Sequence, residues 1–288
     1  MDTPPTPQLT RRSFLSLAAG GVALAACGGG DEPEQERAAA KWFADQTIVA
    51  DGTPQRTIWS LQDDEGNLAD LAPATVDYVV LDNAGDEIDA GTVVRHDDGT
   101  ALPYYPVFVS FPEPGPYEFR FTTAEHGRHV GFAAPGTREA STLLWPGDQF
   151  PSVVTPTFDN DAGVTDICTR TDTCAFHELS LDEAIAAGRP TILLVSTPAF
   201  CGTVFMCGPV LEILIEEIAR ATPDAEVIHA EVYVDPQPDD LGALLPVVEA
   251  TGVTYEPFLF LIDANGTVTG RLDHIWDRTE LRELLAQV

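Results

Sequence analysis

The chain is short of positive charge. Its 288 residues hold 15 lysines and arginines against 46 aspartates and glutamates, a net charge of −31. Lys41 is the single lysine. Nucleic-acid binding depends on clustered basic side chains that neutralise phosphates, so this composition excludes it. What remains is a solvated acidic surface that favours solubility and salt tolerance. Long apolar runs are also missing. Residues 14–26 form an apolar stretch of thirteen, short of the roughly 20 that a spanning helix needs. Cysteine is sparse and unevenly placed, with five in all and none between Cys27 and Cys168. An internal bridge in the first half is thereby excluded.

The opening segment reads as an address. Arg11-Arg12-Ser13-Phe14-Leu15 precedes the short apolar run, and this pattern resembles the twin-arginine export signal. Leu24-Ala25-Ala26-Cys27 ends it and resembles a bacterial lipobox. The resemblance implies cleavage before Cys27 and acylation of its thiol, with several acyl chains giving durable anchoring. Residues 1–27 are therefore expected to be a signal. Residues 28–43 begin with glycines and acids without apolar period and are expected to be a disordered tether. The expected location is the outer face of the bacterial cytoplasmic membrane, with the lipid on Cys27 as the membrane contact.

Residues 44–140 carry short β-rich runs separated by turn signals. These include Thr57-Ile58-Trp59-Ser60-Leu61, residues 76–81, Thr92-Val93-Val94 and residues 105–111. Glu113-Pro114-Gly115-Pro116 then leads into Tyr117-Glu118-Phe119-Arg120-Phe121. That run resembles the late strand of immunoglobulin-like sandwiches, in which a tyrosine hydroxyl ties down a corner. No catalytic cluster is visible in this half, which reads as a spacer or binding module.

From residue 141 to 288 the pattern changes to alternating strands and helices. A capped helix is expected over 180–187, a buried strand over 191–196 and an amphipathic helix over 209–221. A strand over 225–233 and a helix over 241–251 follow. Two strands, 258–262 and 268–272, flank the turn Asp263-Ala264-Asn265-Gly266, and a helix closes the chain. Phe200-Cys201-Gly202 follows the buried strand, Pro209 lies eight positions after Cys201, and Glu256-Pro257 precedes the hairpin. This order and these motifs resemble the thioredoxin superfamily. The fold class expected is thus an all-β immunoglobulin-like sandwich followed by an α/β thioredoxin-like domain.

The resemblance implies that Pro257 is the cis-proline facing the reactive cysteine, and that Cys201 attacks while Cys207 resolves. A thiol between a strand and a helix N-terminus is favoured as thiolate, the attacking species. The chain departs from the family in its details. Val204 stands where the second cysteine is usual, Val195 where a buried acid is usual, and Phe200 in place of tryptophan. If residues 201–207 were helical, the cysteines would stand about 9 Å apart along the axis. A disulfide needs Cα atoms within about 7 Å. Bonding Cys201 to Cys207 therefore requires a loop, with the helix starting near Gly208-Pro209; either cysteine could then be the nucleophile on geometry alone.

Cys168 and Cys174 form a second pair in a polar loop. Four cysteines allow three pairings, and the simplest joins these neighbours in a structural bridge. The activity implied is thiol–disulfide exchange on exported protein thiols or disulfides, or with a membrane redox partner, without a cofactor. Two alternatives stay open. One is a copper carrier of the same fold, with Cu(I) held by Cys201, Cys207 and His229. The other is a non-catalytic scaffold. His177 and His274 read as ordinary polar residues.

Overall fold

The computed structural model describes residues 36–41, 46–63, 73–124, 127–201 and 206–288. The expected signal, Cys27 and most of the expected tether lie outside these residues. Gln35–Val288 pack as one compact unit. Among the described residues no helix is long and apolar enough to cross a membrane.

Seven strands come first: β1 (Arg37–Lys41), β2 (Pro54–Leu61), β3 (Thr75–Leu81), β4 (Glu87–Val94), β5 (Tyr105–Ser110), β6 (Tyr117–Thr123) and β7 (Gly127–Ala133). Their order is β4-β3-β6-β7-β1-β2-β5. The ladder turns at β1. Arg37 and Ala38 pair in parallel with β7, while residues 39–41 pair antiparallel with β2. The tether expected to reach residue 43 therefore gives way to a strand by residue 37. Alanine is a poor strand former, and pairing on both edges overrides that preference here.

Alternation builds the core between the two arms of this ladder. Tyr117, Phe119 and Phe121 of β6 point inward and meet Trp59 and Leu61 of β2 and Val107 and Val109 of β5. The rings of Trp59 and Phe119 lie 4.4 Å apart. The Tyr117 hydroxyl donates to the Glu113 carbonyl at 2.8 Å, holding the turn that precedes β6.

The second half runs α1 (Leu181–Ala186), β8 (Thr191–Val195), α2 (Cys207–Ala221), β9 (Glu226–Ala230), α3 (Pro246–Thr251), β10 (Phe258–Ile262), β11 (Val268–Asp273) and α4 (Arg278–Leu285). The sheet order is β11-β10-β8-β9, with β8 and β9 parallel and the other pairs antiparallel. This is the thioredoxin-like arrangement. Strand β8 is buried at every residue, which is why its sequence is a continuous apolar run. Leu193 and Val195 face α1 and α3, while Ile192 and Leu194 face α2 and α4.

Helix α3 is shorter than the expected 241–251, because Pro246 takes its first turn and sets its start. Gly252 ends it at φ 67°. A Cβ there would come within 2.2 Å of the Thr142 carbonyl oxygen, so the position needs glycine.

The two halves are locked by a buried ion pair. The Arg56 guanidinium of β2 donates to both carboxylate oxygens of Glu280 in α4, at 2.7 and 2.6 Å. It also donates to the carbonyls of Asp273 and Ile275, at 3.0 and 2.6 Å. The Tyr104 hydroxyl donates to Glu280 as well. Breaking one partner of such a pair leaves the other charge buried, at a cost of about 3–5 kcal/mol. Glu280→Ala is expected to lower the urea midpoint accordingly. Far-ultraviolet and tryptophan signals from both halves should still fall in one transition.

Candidate active site and a second buried cluster

The site is built where the chain leaves β8. Ser196 still pairs with the sheet, its N–H donating to the Ala230 carbonyl at 3.0 Å. Thr197 then turns the backbone, and its carbonyl accepts from the N–H groups of Phe200 and Cys201 at 3.2 and 2.9 Å. Cys201 is bonded to Cys207, with Cα atoms 6.1 Å apart. Cys201 itself lies outside any helix, while residues 202–205 of the expected link lie outside the described residues. Helix α2 starts two residues before Pro209, with Cys207 as its first residue. Pro209 still falls in the first turn, where a missing N–H costs no hydrogen bond. Cys207 is fully buried, and Cys201 keeps 9% of its surface exposed.

Pro257 follows a cis peptide bond. The residue before it, Glu256, places a carboxylate oxygen within 4.8 Å of both sulfurs of the disulfide. That carboxylate also accepts from the Thr197 N–H. Burial pushes the Glu256 carboxyl up to about 7, against the lowering effect of the Thr197 hydrogen bond, and nearby Glu231 adds to the rise. Val195, the last residue of β8, is buried and apolar. The carboxylate near the sulfurs comes from the loop before β10. The first half steadies that loop. The Thr47 N–H donates to the Tyr255 hydroxyl at 3.0 Å, and the Tyr255 ring stacks on His274 at 3.7 Å.

The second cysteine pair departs from expectation. Cys168 and Cys174 are not bonded; their sulfurs stand 4.0 Å apart. Both turn toward one atom, Nδ1 of His229, at 3.7 and 3.5 Å. His177 completes the group, and all four residues are buried. Of the two thiols, Cys168 is the one held toward thiolate, chiefly by the neighbouring Cys174 thiol and against the opposing effect of burial. The copper ligand set of Cys201, Cys207 and His229 is not assembled. His229 lies on β9 and faces the side of the sheet where Cys168 and Cys174 pack, so its ring serves the other pair.

Three residues of these sites escape a reading of the sequence. Glu256 is marked only by its place before Pro257. His177 reads as polar, although a Cys-x5-Cys-x2-His run ends on it. Glu231 is buried and accepts from the N–H and hydroxyl of Thr169, at 2.6 and 3.1 Å. An acid next to a buried strand gave no warning of that role.

The second half thus has the strand order and the cysteine position of a thioredoxin-like fold. No family model matches the chain, and no curated protein does. Among solved structures, one assigned as a thiol:disulfide interchange protein, DsbE, from Chlorobium tepidum matches 50% of this chain and 94% of its own. The identity is 19% and the TM-score 0.33. At that distance the likeness adds nothing to the strand order and side chains described above.

The raised Glu256 carboxyl has a consequence for stability. Its folded value of about 7 lies above the ordinary 4.5, so the folded chain holds this proton more tightly than the unfolded chain. The contribution is present at low pH and is lost as pH rises through about 7. Glu256→Gln removes that slope. Measured on the oxidised protein, the variant is expected to gain about 1–3 kcal/mol on the wild type between about pH 5 and 8.

Proposed function

We propose that the chain is a thiol–disulfide oxidoreductase working through Cys201 and Cys207, with Glu256 moving the proton. One observation carries this reading: a bonded cysteine pair sits where a buried strand meets a helix N-terminus, with the half-buried Glu256 carboxylate beside both sulfurs. In the reduced form, Cys201 as thiolate attacks a client disulfide. A bond forms from Cys201 to one client sulfur, the client S–S bond breaks, and the second client sulfur leaves as thiolate. Cys207 then gives its proton to the Glu256 carboxylate and attacks Cys201. The mixed bond breaks, and the client leaves with two reduced sulfurs while the chain keeps the Cys201–Cys207 bond. Two electrons pass to the client, and the reverse sequence returns them. The partial exposure of Cys201 and full burial of Cys207 support this division of labour.

The reading includes the placement implied by residues 1–27: export, a lipid on Cys27, and clients among exported protein thiols or a membrane redox partner. It also takes the first seven strands as an immunoglobulin-like module that braces the loop bearing Pro257.

Three measurements test this reading. Cys207→Ser should accumulate mixed disulfides at Cys201 with partner proteins, and these should vanish in the Cys201→Ser/Cys207→Ser double variant. The Cys201–Cys207 couple should have a reduction potential above about −300 mV; a lower value would mark a fixed structural bond and end the proposal. Glu256→Gln should slow the resolving step by about 10²-fold at neutral pH, the scale of a lost general base, in stopped-flow reoxidation.

A further inference from the structure

We propose that Cys168, Cys174, His177 and His229 form a closed tetrahedral site for one zinc ion. The four ligand atoms lie within 4.8 Å of one another, and all four residues are buried. A tetrahedral zinc with Zn–S of about 2.3 Å and Zn–N of about 2.0–2.1 Å requires sulfurs about 3.8 Å apart. By the same geometry each sulfur stands about 3.5 Å from a ligating nitrogen. The observed separations are 4.0 Å between sulfurs, and 3.7 and 3.5 Å from them to His229 Nδ1. These are the edges of a coordination polyhedron, about twice the length of a disulfide bond.

The surroundings are built for ligation. His229 Nε2 lies 3.0 Å from the Ser196 carbonyl oxygen, to which it donates. That bond fixes the tautomer and leaves the Nδ1 lone pair facing the sulfurs, as the outer partner of a ligating histidine does. His177 is 1% exposed, and neither of its ring nitrogens has a hydrogen-bond partner. A buried imidazole without partners is costly, and a metal bond would satisfy it. The backbone is held on either side of the cysteines. Glu231 grips Thr169, and the Phe176 carbonyl accepts from the His229 N–H at 2.9 Å.

Two thiolates and two imidazoles in tetrahedral array suit zinc. Four protein ligands leave no open position, which is the pattern of a structural site. Binding forms two Zn–S bonds and displaces the protons that the thiols still hold, with no change of oxidation state. The ion would fasten the loop of residues 168–177 to the outer edge of β9.

The test uses the full chain, purified reduced and supplied with Zn²⁺ or Co²⁺. Metal analysis is expected to find one zinc per chain. The cobalt form should show the visible absorption of a tetrahedral centre together with sulfur-to-cobalt charge transfer. Cys174→Ser and His177→Ala should lower zinc content at least tenfold, while Cys201→Ser/Cys207→Ser keeps it. The cobalt spectrum of the unaltered chain stands even where a variant fails to fold. The proposal is overturned by a reduced chain that takes up no zinc or cobalt. It is equally overturned by loss of metal in the Cys201→Ser/Cys207→Ser variant, or by a Cys168–Cys174 disulfide in metal-supplied protein.

Discussion

Both clusters hang on two residues at the exit of strand β8. The carbonyl of Ser196 fixes the His229 ring, and the N–H of Thr197 holds the Glu256 carboxylate. The Thr197 carbonyl also receives Cys201, and its hydroxyl accepts from the Val232 N–H at 2.9 Å. A strand buried on both faces has no freedom to shift, so its last polar groups arrive at fixed positions. The His229 ring, the Glu256 carboxylate and Cys201 are placed relative to them.

The fold of the second half was legible because its signals are local. A continuous apolar run, a capping box at Ser180 and an Asp-Ala-Asn-Gly turn each follow from short-range physics. The cysteine link was legible for the same reason, since helix geometry forbids that bond in an unbroken helix. Cys168 and Cys174 were misread because sequence proximity says nothing of what lies across a sheet. His229 is more than fifty positions away, and only the parallel pairing of β8 with β9 brings its ring to their loop. Glu256 was hidden likewise. Val195 is apolar, and the carboxylate near the sulfurs comes from a loop that meets them only after folding.

In the first half, short β-rich runs marked β2 to β6, and strands β1 and β7 were missed. Arg37-Ala38-Ala39-Ala40-Lys41 has neither β-branched residues nor aromatics, and only its two neighbours make it a strand. The acidic composition was a fair guide to the surface and a poor one to the joint. There, one of the few arginines, Arg56, is buried and fully engaged.

That joint also determines what can be cut away. Ile58 and Tyr104 of the first half pack on Ile275 and on Met206, the residue before Cys207. A fragment trimmed to begin at residue 141 would carry an oily scar and an orphaned carboxylate at Glu280. The scar would lie one residue from the Cys201–Cys207 bond. The excised piece would be a stickier molecule with a differently supported helix start, so its behaviour could not stand for that of the intact chain.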